Sequence, residues 1–275
     1  MSKYTLHKRI CIIVIGIVVW MISFIAGMLS LPVERVKALQ YNYTGQASSS
    51  GTSDPVYEQW GLFGENGIQV EDAWEIAEVN PDIRVGVIDT GITEHKALNV
   101  DTSLGWCFCC KSNERTDDVD GHGTHIAGII GANGEIDGVY GVAPGVKIVP
   151  LSIQHNHYVW YESIIIDAIE YATSLYWTEN RIDILNFSGI YFAESERFKK
   201  AVDNFPGLFV NSVGNKNEYL NEHPNYPTCF DIDNMITVGG YSGKRDTVSP
   251  QRLGIKLRKR RGYLCAGKQY LHYRL

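Results

Sequence analysis

The sequence predicts an α/β fold in three layers, with a mostly parallel twisted sheet and helices on both of its faces. Short apolar runs typical of buried strands alternate with helical segments of about 10–15 residues. The helical segments place apolar residues on one side, and glycine or proline clusters separate the elements. With 275 residues, 44% of them hydrophobic, the chain can form one large domain or two small ones.

The predicted elements follow one another in alternation. A short helix over residues 70–78 turns Ala73, Trp74 and Ile76 toward the core. The other helices are predicted over residues 123–131, 161–176 and 195–204. The strands are predicted over residues 84–88, 146–153, 182–187, 208–213 and 235–238.

Polar side chains stand at the ends of two strands and at the start of one helix. Asp89 ends the first strand, His122 opens the helix after a glycine-rich turn, and Asn215 ends a later strand. A serine nucleophile needs a base within hydrogen-bond reach, and that base needs an acceptor that fixes its tautomer. Asp89 suits the acceptor, His122 the base, and the Asn215 amide an oxyanion donor. Singly, such a strand-end aspartate is common, and a His-Gly-Thr-His run also suits a loop or a metal pair.

Together and in this order, the motifs resemble those of the subtilisin-like serine proteases, over residues 57–240. Residues 89–91 are similar to the family's aspartate motif, residues 122–128 to its histidine motif, and residues 141–144 to the stretch before its central strand. The aspartate-to-histidine gap is 33 residues, against about 32 in subtilisin. The resemblance implies a serine endopeptidase that hydrolyses polypeptides, with Asp89 orienting His122 and Asn215 in the oxyanion hole.

Secondary sites also follow from the resemblance. Ser188 and Gly189 would line the edge that pairs with an extended substrate backbone, although the family usually has Ser-Leu-Gly there. Relatives often bind calcium where this chain has Asn133, Glu135 and Asp137, and their oxygens suit that ion. A solvated acidic turn is the alternative, and no cofactor is required beyond such a structural calcium.

The family's serine stands in a Gly-Thr-Ser-Met-Ala-x-Pro motif that does not occur in the C-terminal half of this chain. In subtilisin it follows the oxyanion asparagine by about 66 residues. Counted from Asn215, it falls about six residues past Leu275. We therefore expect a fold that is incomplete at the C-terminus and a nucleophile outside these residues. A catalytically inactive peptide-binding remnant is the alternative function.

Residues 244–275 form an atypical basic tail after the predicted peptidase domain at residues 57–243. They hold ten lysines and arginines against one acid, in a chain of net charge -6. Three interpretations of the tail are open: a surface patch that binds nucleic acid or anionic lipid, a solvated segment without function, or the product of a shift of reading frame. One base forward, residues 267–273 can encode Gly-Asn-Asn-Ile-Tyr-Ile-Thr, which resembles the stretch before the family's nucleophile. We favour the frame shift and expect no nucleic-acid partner.

Residues 1–38 form a signal peptide or a transmembrane anchor, and residues 39–56 a polar linker. Residues 10–33 are a run of 24 without a charge behind a basic start, which is long enough to cross a bilayer. Residues 36–38 resemble a cleavage site. In either case the domain is exported, and the membrane is a partner only if the segment is uncleaved.

Four cysteines lie in the predicted domain. Export permits one disulfide among Cys107, Cys109, Cys110 and Cys229. A zinc site is less favoured, because three cysteines this close lack the paired spacing of a zinc knuckle.

Overall fold

The computed structural model describes residues 59–63, 68–154, 161–191, 193–214, 220 and 222–239. The predicted N-terminal segment, the linker and the basic tail lie outside these residues. Among the helices of the described part, none is long and apolar enough to cross a membrane.

In the part of the chain that the structure describes, seven parallel strands form one sheet around a central strand. Their bounds are Arg84–Asp89 (β1), Asn99–Val100 (β2), Trp106–Cys107 (β3), Lys147–Ser152 (β4), Ile184–Phe187 (β5), Leu208–Ser212 (β6) and Met235–Val238 (β7). Their order is β2-β4-β1-β5-β6-β7, with β3 also paired to β4. The chain thus extends to both sides of β1, and such a switch point leaves a crevice at the carboxyl ends of the strands.

Five helices accompany the sheet in the described residues. Their bounds are Trp60–Phe63 (α1), Val70–Ile76 (α2), His122–Gly131 (α3), Glu162–Leu175 (α4) and Glu196–Asn204 (α5), and a 3₁₀ turn covers Thr102–Leu104. The hydroxyl of Ser195 caps α5 by accepting a hydrogen bond from the Phe198 N–H, which accounts for the abrupt start of this helix.

Two apolar cores cover the two faces of the sheet, as a buried parallel sheet requires. Alternate residues of β1 enter different cores: Val85 and Val87 pack with α3, and Ile88 packs with α4 and α5. Gly86 between them has no side chain because a Cβ would lie 2.8 Å from Leu185 Cδ2. The predicted helices on both faces are therefore confirmed.

The predicted elements are present with bounds shifted by at most two residues, but Ile76 was predicted to face the core and does not. Its side chain is 54% exposed. Trp74, two residues earlier, donates its indole N–H to the Val142 carbonyl at 2.9 Å and fixes the inward face of α2. Residues two apart lie on nearly opposite sides of a helix, so Ile76 points outward.

Candidate active site

Asp89 lies at the carboxyl end of the central strand of the sheet. It is the last residue of β1, lies beside Ser152 of β4 in register, and is 1% exposed. The strand is paired with β4 and β5, so the backbone that carries Asp89 is fixed in position.

Helix α3 begins at His122, directly above that carboxylate. Gly121 precedes it with φ of 98°, a left-handed conformation that glycine adopts without strain. At the next position, a Cβ on Gly123 would lie 2.1 Å from the Gly91 carbonyl oxygen. The first turn of α3 can therefore approach the end of β1 only because residue 123 is glycine.

His122 and Asp89 make a short polar contact. Nδ1 of His122 lies 2.6 Å from Oδ1 of Asp89, and the backbone N–H of Thr90 donates to the same oxygen at 2.7 Å. Oδ2 of Asp89 is buried without a hydrogen-bond partner among the described residues. The carboxylate therefore fixes Nδ1 as the protonated nitrogen of neutral His122, which leaves Nε2 to exchange a proton with a reacting group.

The electrostatics of the site favour the charged form of His122. Burial lowers the pKa of its imidazole, but the charge and hydrogen bond of Asp89 and the charges of Asp120 and Asp118 more than offset this, and the pKa is raised. Burial instead lowers the pKa of His125. His122, paired with the buried carboxylate of Asp89, is therefore placed as a general base requires.

Asp118 organises the turn that carries His122, and sequence reasoning missed it. Its Oδ1 accepts hydrogen bonds from the Thr90 hydroxyl and from the N–H groups of Asp120 and Gly121. Its Oδ2 accepts from the N–H and the hydroxyl of Thr124. Burial raises the pKa of Asp118, yet these hydrogen bonds hold it below its ordinary value. The signal in the sequence is an acid just before a helix start, but three acids share that segment.

Thr90 ties this turn to the strand. Its hydroxyl donates to Asp118 and accepts the N–H of Gly123 at 2.9 Å. The Thr90 side chain therefore links the end of β1, the Asp118 carboxylate and the first turn of α3, and it keeps the distance between Asp89 and His122 fixed.

Two of the other predicted site residues lie directly after β5, and a third lies outside the described residues. Ser188 and Gly189 follow β5 directly, and the amide of Asn186 donates to the Ser188 hydroxyl at 3.0 Å. Asn215 lies outside the described residues. The residue before it, Gly214, has φ of 88°, and a Cβ there would lie 3.0 Å from Ile190 Cδ1. The carboxyl ends of β5 and β6 therefore lie side by side, and the substrate edge at Ser188 and Gly189 stays a prediction.

The predicted calcium loop forms a tight turn after α3. Asn133 Oδ1 accepts the N–H of Glu135 at 3.0 Å, and Asn133 pairs with Tyr140 across the turn. The side chains of Glu135 and Asp137 are exposed. Carboxylate and amide oxygens suit calcium, but the Asn133 oxygen is already used within the turn. The calcium site stays a prediction.

Comparisons with known proteins point to one family. The sequence model of the Subtilase family, Peptidase_S8, matches residues 80–261. The chain is 30% identical to Subtilisin DY of Bacillus licheniformis over 64% of its own length and 62% of that protein. It is 29% identical to the minor extracellular protease Epr of Bacillus subtilis (strain 168), over 74% of its own length and 30% of that protein.

A solved structure of a cold adapted subtilisin-like serine proteinase is also similar. Its TM-score is 0.49 at 24% identity, over 61% of this chain and 58% of that chain. The chain spans less than two thirds of the length of the relatives it matches. The family model covers more than half of its residues, and the chain belongs to the subtilase family of serine-type peptidases.

Proposed function

We propose that this chain is the Asp- and His-bearing part of an exported subtilisin-like serine endopeptidase. Asp89 orients His122, and His122 Nε2 acts as the general base that accepts the proton of a serine hydroxyl. Asn215 donates its amide to the oxyanion of the tetrahedral intermediate. The substrate class is the polypeptide chain, which is the class that a serine endopeptidase of this family hydrolyses.

One observation carries this proposal: the 2.6 Å contact between His122 Nδ1 and a carboxylate that is 1% exposed. A buried carboxylate at Nδ1 does two things for acyl transfer. It selects the tautomer whose Nε2 can accept a proton, and it stabilises the imidazolium that forms when the serine attacks. Both effects act on the transition state, so they raise turnover rather than substrate affinity.

Substrate would lie along the edge formed by Ser188 and Gly189. An extended peptide that adds there as a strand gains backbone hydrogen bonds without regard to its side chains. Its scissile carbonyl would then lie between His122 and Asn215. The extracellular relatives in the family support export of this domain, and residues 1–38 would be the element that directs it.

The nucleophile is proposed to lie in sequence that follows these residues in the complete enzyme. The decisive experiment therefore starts with the gene, read through codon 250 and beyond its stop codon. The longest continuous product is expressed and treated with a fluorophosphonate, which reacts with activated serines. We expect an adduct on the serine of a Gly-Thr-Ser-Met-Ala-x-Pro motif, and much slower labelling in His122→Ala.

The alternative function, a peptide-binding remnant, rests on the lack of that motif in the 275 residues. It predicts that no reading frame supplies the motif and that no fluorophosphonate adduct forms. It also predicts that the chain binds extended peptides, and that a bulky substitution at Gly189 weakens this binding while His122→Ala does not.

A further inference from the structure

Three cysteines that the proposed chemistry does not use come together in the loop after β3. The Sγ atoms of Cys107 and Cys109 are 3.3 Å apart, and those of Cys109 and Cys110 are 3.9 Å apart. All three sulfurs lie within 4.8 Å of one another. Within the part of the chain that the structure describes, no other three His, Cys, Asp or Glu side chains come this close.

The backbone holds this cluster in place. The N–H of Cys107 donates to the Ser112 carbonyl at 2.8 Å and its carbonyl accepts from the Ser112 N–H at 3.2 Å, so the chain doubles back on itself. Inside this turn, the N–H of Cys110 donates to Sγ of Cys107 at 3.2 Å. This hydrogen bond orients the sulfur and favours its thiolate, but burial and the neighbouring thiols outweigh it and raise the pKa of Cys107, so a bound ion must displace the proton. Two residues separate Cys107 from Cys110, which is the spacing within one cysteine pair of a zinc knuckle, although the second pair of a knuckle is not part of this cluster.

Three sulfurs bound to one ion at about 2.3 Å lie about 4 Å apart. The 3.9 Å separation of Cys109 and Cys110 matches this value, and the 3.3 Å separation of Cys107 and Cys109 is shorter. Small side-chain rotations would therefore bring the three sulfurs to the spacing of a single-ion site. A set of three sulfur ligands selects soft ions such as Zn(II) or Cu(I) and disfavours calcium or magnesium.

We propose that Cys107, Cys109 and Cys110 bind one thiophilic d¹⁰ metal ion through three thiolates. This reverses the expectation from the sequence, in which three cysteines without the paired spacing of a zinc knuckle disfavoured a zinc site. The spacing alone does not show that the turn between Cys107 and Ser112 folds all three sulfurs to the same side.

The site would stabilise the carboxyl end of the sheet, where Asp89 lies. Cys107 lies beside Ser152 in register, and Ser152 lies beside Asp89, so Cys107 is two strands, or about 10 Å, from the catalytic aspartate. The next residue, Phe108, donates its N–H to the Ser152 carbonyl and packs on Tyr171 of α4 at 5.7 Å between ring centroids. A metal bound here would hold the β3 loop against β4 and α4. It stabilises the folded chain to the extent that it binds the folded state more tightly than the unfolded one.

The test uses the full chain, stripped of metal under reducing conditions and titrated separately with Zn(II), Cu(I) and Cd(II). Cd(II) is the spectroscopic probe, because its thiolates give an ultraviolet charge-transfer band. The variants are Cys109→Ser and Cys110→Ser, and the matched control is Cys229→Ser, which removes an exposed thiol outside the cluster. Circular dichroism checks that each variant folds.

We expect the control to bind one ion with the affinity of the parent chain. Its melting temperature should be higher with the ion bound than without it. We expect Cys109→Ser and Cys110→Ser to lose at least about tenfold in affinity and most of the charge-transfer band. Displacement of Cd(II) by Zn(II) or Cu(I), followed as the loss of the charge-transfer band, shows which soft ion binds more tightly. Equal Cd(II) binding by Cys109→Ser and Cys229→Ser would overturn the proposal. So would a disulfide between two of the three cysteines in protein isolated without reductant.

Discussion

Replacing Asp118 by asparagine tests whether this carboxylate builds the turn that presents His122. The substitution keeps the shape of the side chain but turns one acceptor oxygen into an NH₂ donor. Oδ1 accepts three hydrogen bonds and Oδ2 accepts two. The best orientation of the amide keeps its oxygen on the side of Thr90 and Gly121, which turns the NH₂ group toward Thr124.

The magnitude follows from what the amide cannot do. The hydroxyl of Thr124 can rotate and accept, but its N–H, 2.8 Å from Oδ2, loses its acceptor. An unsatisfied donor of this kind costs about 1–3 kcal/mol. The three hydrogen bonds that remain also weaken, since they no longer go to a charged acceptor. We expect the free energy of unfolding to fall by about 2–4 kcal/mol.

The assay is urea unfolding followed by circular dichroism, with Asp117→Asn as the matched control. Asp117 is the adjacent acid and its side chain is exposed, so its substitution should change stability by less than about 0.5 kcal/mol. The pKa of Asp118 lies below its ordinary value of 3.8 in the folded chain. Its contribution is therefore full above pH 3.8 and is lost as the pH falls through the folded-state pKa. Equal unfolding free energies for the two variants at neutral pH would refute the reasoning.

Three further predictions concern the same region. Gly123→Ala should lower the free energy of unfolding by about 1–3 kcal/mol, because its Cβ would lie 2.1 Å from a backbone oxygen. The control is Gly131→Ala, whose Cβ would lie 3.0 Å from side-chain methyl groups. Thermal unfolding should show a smaller loss of stability in the control. Because its folded-state pKa is raised from 6.5, His122 should add stability below pH 6.5 that is lost as pH rises through that pKa. Urea unfolding of the parent chain and His122→Gln across this range checks the sign, and a stability difference that grows with pH contradicts it. Calcium should raise the melting temperature of the parent chain more than that of Glu135→Gln, and equal shifts would remove Glu135 from the calcium prediction.

The strands and long helices could be predicted because their signals are local. β1 is an apolar run that ends in Asp89, and α4 repeats isoleucine and alanine on one face, so pattern and burial agree. The strands β2 and β3 have two residues each, which is too short for any alternation to show. Ile76 was misplaced because its helix ends at that residue and a single hydrogen bond from Trp74 sets the inward face.

The site was predictable where chemistry fixes the residue type and not where the fold chooses among equals. Asp89 and His122 have distinctive neighbours in the sequence. Asp118 has two other acids close to it in the sequence, Asp117 and Asp120. Only the path of the turn decides which of the three carboxylates faces the helix. The arrangement of the three cysteines could not be predicted for a similar reason, because the reversal of the chain at Ser112 brings their sulfurs together.

The most direct test of the central claim is the pKa of His122, measured by NMR on the ring protons in the full chain and in Asp89→Asn. The His122→Gln variant assigns the signal among the eight histidines. If Asp89 and His122 form the proposed acid–base pair, the pKa of His122 lies above 6.5 in the parent chain and falls when Asp89 becomes neutral. A pKa of 6.5 or lower that does not change in Asp89→Asn would show that the carboxylate does not act on the imidazole, and would contradict the account.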